Sequence, residues 1–108
     1  MANLEKLQSF FEAENLRNWT TYESFMHDKI RWELHGQQTE VIQGKNHYLS
    51  RIKAAYAQSN QQFSCLHYEC TVEQERIVTL LKNDAGQLSC DIFEFENGLI
   101  IREWEFLL

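Results

Sequence analysis

The sequence predicts an α+β domain in which a curved, mainly antiparallel sheet wraps around three helices from the N-terminal half. Three observations carry this. The first half of the chain holds three stretches with helical spacing of apolar residues. The second half holds four consecutive strand-like stretches with short links, which force antiparallel neighbours. The last two of these meet at Asn97-Gly98, the dipeptide favoured by a two-residue hairpin loop.

The elements follow in order. Leu4, Leu7, Phe10 and Phe11 recur at helical spacing, and Glu14-Asn15 closes this first helix. Thr20-x-x-Glu23 has the form of a capping box with Trp19 before it, and Tyr22, Phe25 and Met26 give a second helix its face. Lys29 to His35 alternates Ile30, Trp32 and Leu34 against Lys29, Arg31, Glu33 and His35, which is strand periodicity. Thr39 to Gln43 forms a short return strand. After Gly44, Tyr48, Leu49, Ile52, Ala55 and Tyr56 mark the stripe of a third helix running to about Gln58. Four strands follow, Phe63 to Gln74, Arg76 to Lys82, Leu88 to Glu96 and Leu99 to Leu107.

Composition narrows the classes of function. With 108 residues the chain is one domain, 1–108. A formal charge of −6, from sixteen acids scattered among ten bases, offers no basic stripe for nucleic acid. No apolar run reaches the ~20 residues of a membrane span, and the acidic N-terminal stretch lacks the pattern of a signal peptide, so the expectation is a cytoplasmic protein. Cys65, Cys70 and Cys90 form neither a C-x-x-C pair nor an even set and read as reduced packing residues. There is no glycine-rich phosphate loop, and no cofactor is called for. His27, His35, His47 and His67 show no ligand spacing, so no metal site is expected either.

The element order resembles the nuclear transport factor 2-like (NTF2-like) superfamily, and the residues resemble its SnoaL-like branch. The matching segments are Phe25-Met26-His27-Asp28, Trp32-Glu33-Leu34-His35-Gly36, Gly44 opening the third helix, and Asp91-x-Phe93-x-Phe95-x-x-Gly98-x-Ile100-x-x-x-Trp104. The resemblance covers essentially the whole chain. It implies a sheet curled around a conical cavity closed by helices, and commonly a homodimer through the outer sheet face. Similar proteins include ketosteroid isomerases, polyketide cyclases, dehydratases, epoxide hydrolases and non-catalytic binders, so the fold implies a pocket rather than a reaction.

The candidate site lies on the last hairpin. Ser89, Asp91, Phe93 and Phe95 share one strand face, which makes Asp91 an acid in an aromatic row. A two-residue type I′ loop at Asn97-Gly98 places Asp91 opposite Trp104 with Arg102 diagonal to it. A type I turn with a glycine bulge places it opposite Glu103. The second register, closer to the resembling family, puts Asp91, Glu103 and Glu105 on the cavity wall with Phe93, Phe95, Ile101 and Leu107. It sends Ile92, Arg102, Trp104 and Phe106 to the opposite face.

Carboxyls gathered in an apolar cavity hold their protons to higher pH, which suits them to donate hydrogen bonds or act as bases near neutrality. The resemblance to ketosteroid isomerases implies that Asp91 sits where those enzymes keep a protonated aspartate in the oxyanion hole. It also implies a general base at Glu33, or at Leu34 if the match slips by one. Phe10 stands where the isomerase has its catalytic tyrosine, so steroid isomerisation is disfavoured. Phe10, Trp19, Tyr22, His35, Tyr56, Phe93, Phe95 and Glu105 are the candidate binding residues. An aromatic cavity suits a small apolar or aromatic ligand.

Two readings follow. In one the chain binds such a metabolite and performs cofactor-free isomerisation, cyclisation or dehydration through Asp91, with Glu33 or Glu103 moving a second proton. In the other it is a non-catalytic binding or dimerisation module.

Overall fold

A computed structural model describes all residues, Met1 to Leu108. Its elements are α1 (Asn3–Leu16), α2 (Trp19–Glu23), β1 (Met26–His35), β2 (Thr39–Gln43), α3 (Lys45–Tyr56), β3 (Phe63–Cys70), β4 (Arg76–Asn83), β5 (Leu88–Glu96) and β6 (Leu99–Leu107). The six strands form one sheet in the order β2-β1-β6-β5-β4-β3, antiparallel except where β1 meets β6. The α+β class and the mainly antiparallel sheet are as the sequence predicts.

The helix stripes bury the core against the concave face. Leu7, Phe10, Phe11 and Ala13 of α1, Tyr22 of α2 and Tyr48, Leu49 and Ile52 of α3 meet Ile30, Trp32, Ile77, Phe93 and Ile100 of the sheet. Phe10 is almost fully enclosed, stacked on Tyr22 at 3.9 Å between ring centroids and edge-on to Phe25 and Phe93. The first turn of α1 is capped from a distance: Leu4 N–H donates to Gln74 Oε1 at 2.9 Å, so the β3–β4 turn satisfies one of the orphan donors of the helix start.

Three local expectations are corrected. The cap of α2 is Asn18, whose side chain accepts from the Thr21 N–H, and not the Thr20-x-x-Glu23 box. Phe25 and Met26 leave the helix, because Met26 already opens β1 and pairs with Ile100. The β3 strand ends at Cys70, since Gln74 adopts a left-handed φ of 59° in a tight turn closed by Gln74 N–H to Thr71 C=O.

The β5–β6 hairpin takes neither expected register. Asn97 (φ 52°) and Gly98 (φ 76°) form the two-residue loop with both φ positive, as a type I′ turn requires. One step on, Ile101 is inserted as a bulge between the pairs Phe95–Ile100 and Glu94–Arg102, so Asp91 faces Glu105 rather than Trp104 or Glu103. The bulge also exchanges the isoleucines: Ile100 is fully buried, whereas Ile101, expected on the cavity wall, is half-exposed.

Gly98 also accepts, through its carbonyl, a hydrogen bond from Lys6 Nζ at 3.0 Å. A side chain there would strain the left-handed backbone and crowd that ammonium, whose Nζ lies 2.5 Å from the position a Cβ would take. Gly98→Ala is expected to cost about 1–2 kcal/mol, read as a lower urea midpoint with an unchanged slope.

Candidate functional site

The one-residue bulge moves the partner of Asp91 from Trp104 to Glu105 and so brings Glu103 and Glu105 onto its face. One carboxyl oxygen from each lies within 4.8 Å of the others. Asp91 and Glu103 are 3% and 5% exposed, which is rare for acids without a cationic partner. Ser89 Oγ donates to Asp91 Oδ1 at 2.6 Å, and Glu103 is hydrogen-bonded to the Tyr48 hydroxyl.

These acids line a cavity of about 230 Å³ between the concave sheet face, α1 and α3, with Phe10, Phe11, Trp32, Tyr56 and Phe93 among its apolar walls. The volume lies just below the usual ~300–1,000 Å³ of small-molecule pockets. Its rim carries the exposed Gln61, Gln62, Gln87, Leu107 and Leu108, so the cavity opens to solvent instead of being enclosed.

Burial and mutual repulsion set the charge of the wall. Desolvation first, and then the neighbouring Glu105, push the Asp91 carboxyl well above the usual carboxylate range. Glu103 is pushed well up by burial and by Glu105 and Asp91, although its bond to Tyr48 pulls the other way. Glu105 is raised to about 7, by burial first and then by Glu14. The indole N–H of Trp32 is buried with no hydrogen-bond partner of ordinary geometry, yet it stands near enough to Glu105 to lower its pKa somewhat. Ionised, the three carboxyls have the spacing to hold a cation, but they would have to lose their protons first.

Of the predicted site residues, Asp91, Glu103, Glu105, Phe10, Tyr56 and Phe93 line this cavity. Glu33 and His35 do not. They project from the outer sheet face, where Glu33 pairs with Arg31 at 3.2 Å and His35 stacks on Phe106 at 4.8 Å. The Arg31 and His35 hydrogen bonds hold Glu33 below the usual range, the opposite of a base tuned toward neutrality. The alternative position, Leu34, supplies no acid. Trp19 packs edge-on against Tyr22 behind the wall, Tyr22 is wholly buried there, and Phe95 belongs to the core beside the cavity. Asp91 has no contact with Arg102, which instead approaches Glu94 at 3.6 Å.

Two further residues belong to the site, Glu14, which the sequence marks only as a helix end, and Tyr48, which it marks as part of the stripe of α3. Glu14 lines the cavity from α1, accepts from the Tyr22 hydroxyl at 2.9 Å and from the Tyr56 hydroxyl at 2.6 Å, and is raised by burial. Its signal is its position, three and seven residues after Phe11 and Leu7, on the apolar stripe of α1. Tyr48 supplies the hydroxyl at Glu103 and stacks at a tilt on Trp32.

No protein-family model matches the sequence, and no curated protein matches it. Solved structures do. Bal32a, from a soil-derived mobile gene cassette, superposes with a TM-score of 0.85 at 18% identity, covering 97% of this chain and 88% of its own. A SnoaL-like protein of unknown function from Burkholderia thailandensis gives 0.85 at 11% identity, covering 98% and 93%. The fold is NTF2-like. A third solved structure, RV0760c from Mycobacterium tuberculosis in complex with estradiol-17β-hemisuccinate, gives 0.83 at 16% identity, covering 98% and 94%. At these identities the likeness extends to the NTF2-like fold alone. No helix of the chain is long and apolar enough to cross a membrane.

Proposed function

We propose that the chain binds a small, mostly apolar molecule bearing a carbonyl or enol oxygen in the carboxyl-walled cavity, and exchanges a proton with it. One observation carries this reading: the buried Trp32 N–H, with no hydrogen-bond partner of ordinary geometry, stands near Glu105 in a cavity wall whose acids burial raises above the usual carboxylate range. An unpaired buried donor costs about 1–3 kcal/mol, which a ligand oxygen would recover. Asp91, whose carboxyl burial raises well above the usual range, donates to the same oxygen when it carries its proton. Glu105, with a pKa of about 7, is the group that gains or loses a proton near neutral pH.

The chemistry available to such a pair is enolisation, and hence isomerisation, cyclisation or dehydration without a cofactor. A cavity of about 230 Å³ suits one or two rings better than a steroid skeleton. That an NTF2-like relative was solved with a bound small molecule supports small-molecule binding here. Phe10 replaces a hydroxyl on α1, so the donors come from Asp91, Trp32 and the tyrosines of α3.

A thermal-shift screen over small aromatic ketones, phenols and lipid-like acids tests the reading. A ligand that raises the melting temperature of the parent chain and loses most of that effect on Trp32→Phe and Asp91→Asn supports it. Equal shifts in all three proteins, or none in any, count against it.

A second reading rests on the outer sheet face, where Phe106 and Val78 remain about a third exposed beside Trp104. There the chain is a non-catalytic module that dimerises through that face. Sedimentation as a monomer at micromolar concentration contradicts the dimer.

A further inference from the structure

Behind the cavity wall a line of hydrogen bonds joins two of its acids. Glu103 contacts the Tyr48 hydroxyl, the Tyr48 and Tyr22 hydroxyls lie 3.1 Å apart, and the Tyr22 hydroxyl lies 2.9 Å from Glu14 Oε1. Tyr22 and Tyr48 are 0% and 1% exposed, so no water completes the line at its centre. The proton count limits the arrangements. Three oxygen-to-oxygen contacts need three protons, and the two hydroxyls bring two. With both carboxyls ionised, each hydroxyl points outward to its own acid and the two phenol oxygens face each other with lone pairs only, a costly arrangement away from water. With both carboxyls protonated one proton has to leave the line for an outer carboxyl oxygen, and at Glu14 that oxygen already accepts from the Tyr56 hydroxyl.

We propose that Glu14 and Glu103 share a single proton through a Tyr22–Tyr48 relay, so that one of the two acids is neutral and the other charged. Two arrangements satisfy every contact. In the first, Glu103 carries the proton and donates to Tyr48, Tyr48 donates to Tyr22, and Tyr22 donates to the Glu14 carboxylate. In the second, all three bonds are reversed and Glu14 carries the proton. The surroundings favour the first. At the Glu14 end the Tyr56 hydroxyl donates to the second carboxyl oxygen, and the Arg17 guanidinium lies 3.9 Å over the Tyr56 ring. At the Glu103 end Asp91 and Glu105 crowd within 4.8 Å. Charge therefore rests on Glu14.

The relay acquires a use under the small-molecule reading proposed above, on which that use rests: Glu14 and Glu103 form a second proton-exchanging pair on the cavity wall, beside Asp91 and Glu105. Both end groups line the same cavity, Glu14 from α1 and Glu103 from β6. A ligand C–H or O–H proton passes to the Glu14 carboxylate while Glu103 gives its proton to a second position of the same ligand. The ligand is isomerised, and Glu14 is left neutral and Glu103 charged. Glu14 then passes its proton to the Tyr22 oxygen, Tyr22 passes its own to Tyr48, and Tyr48 passes its own to Glu103. Each proton lost is regained, and the resting arrangement returns without solvent. Tyr22 and Tyr48 are positioning residues in this scheme.

The test needs no ligand, so its outcome is separate from that of the thermal-shift screen. With glutamate side-chain carboxyls labelled with carbon-13, the signals of Glu14 and Glu103 at neutral pH should sum to one bound proton. Tyr56→Phe removes a donor from Glu14 only. The relay predicts that Glu14 moves toward the neutral acid and Glu103 moves by the same fraction toward the carboxylate. With Tyr22→Phe added, the line is cut and Glu103 should no longer answer to Tyr56→Phe. Should that double variant fail to fold, Tyr48→Phe cuts the line at its next contact and replaces it. A Glu103 signal indifferent to Tyr56→Phe in the otherwise unaltered chain, a response that survives the cut, or two acids in the same protonation state overturns the relay.

Discussion

Between about pH 5 and about pH 8 the folded chain is expected to lose stability by several kcal/mol, the reverse of the usual behaviour of carboxylates engaged in ion pairs. The sign follows from the direction of the shifts. Asp91, Glu103 and Glu105 all hold their protons to higher pH when folded. Above about pH 4 to 5 the unfolded chain has released these protons while the folded chain still binds them, so each rise in pH favours unfolding. Each such group contributes a slope of about 1.4 kcal/mol per pH unit until its folded pKa is passed. For Glu105, raised to about 7 and half-buried, the contribution is about 2–3 kcal/mol, complete by about pH 8. Asp91 and Glu103 add to it in the same direction. Against a total stability of about 5–15 kcal/mol this is a large share. Urea denaturation at the two pH values measures it, and Asp91→Asn should flatten the dependence by removing one group. Stability that is flat or rises over this range contradicts the burial of ionisable acids in the wall.

Phe10→Ala is expected to cost about 3–5 kcal/mol, enough to bring the chain near unfolding at ordinary temperature. Phe10 is 1% exposed and joins α1 to α2 through Tyr22, to β5 through Phe93 and to the α2–β1 junction through Phe25. Truncation leaves a cavity on three sides that rigid aromatic neighbours cannot collapse to fill. Denaturant melts at fixed pH test this. A loss under 1 kcal/mol would show that the aromatic cluster is far less tightly packed than its geometry indicates.

The sequence carried most of the fold because local signals and tertiary packing agree in it. The strands from Leu88 to Leu107 alternate cleanly around a turn that Asn97-Gly98 alone supports, and the helical stripe of α1 is the face that packs. The hairpin register was not legible. The Ile101 bulge answers a parallel neighbour, β1, and the Ile100 N–H bonds to the Phe25 carbonyl at 2.8 Å, a contact 75 positions away in the chain. The acid trio shares a face as in the glycine-bulge register, because Glu105 lies an even two residues from Glu103, whereas the plain two-residue loop would have turned Trp104 to that face. Glu33 and His35 were misplaced for a different reason. The alternation of Ile30, Trp32 and Leu34 already sets them on the opposite face; Glu33 is a candidate only through the resemblance to isomerases, and His35 only through its place at the strand end beside Gly36. Glu14 went unread because an acid near the end of a helix looks like its terminus, although it continues the apolar stripe.

The central claim is that the cavity wall offers neutral acids as hydrogen-bond donors beside Trp32. The most direct measurement is the titration of the Asp91 and Glu105 carboxyl carbons, followed by carbon-13 resonance in the ligand-free protein. Asp91 is expected to release its proton well above the usual carboxylate range, and Glu105 to titrate near 7. Two carboxyls that both ionise near pH 4 would contradict it.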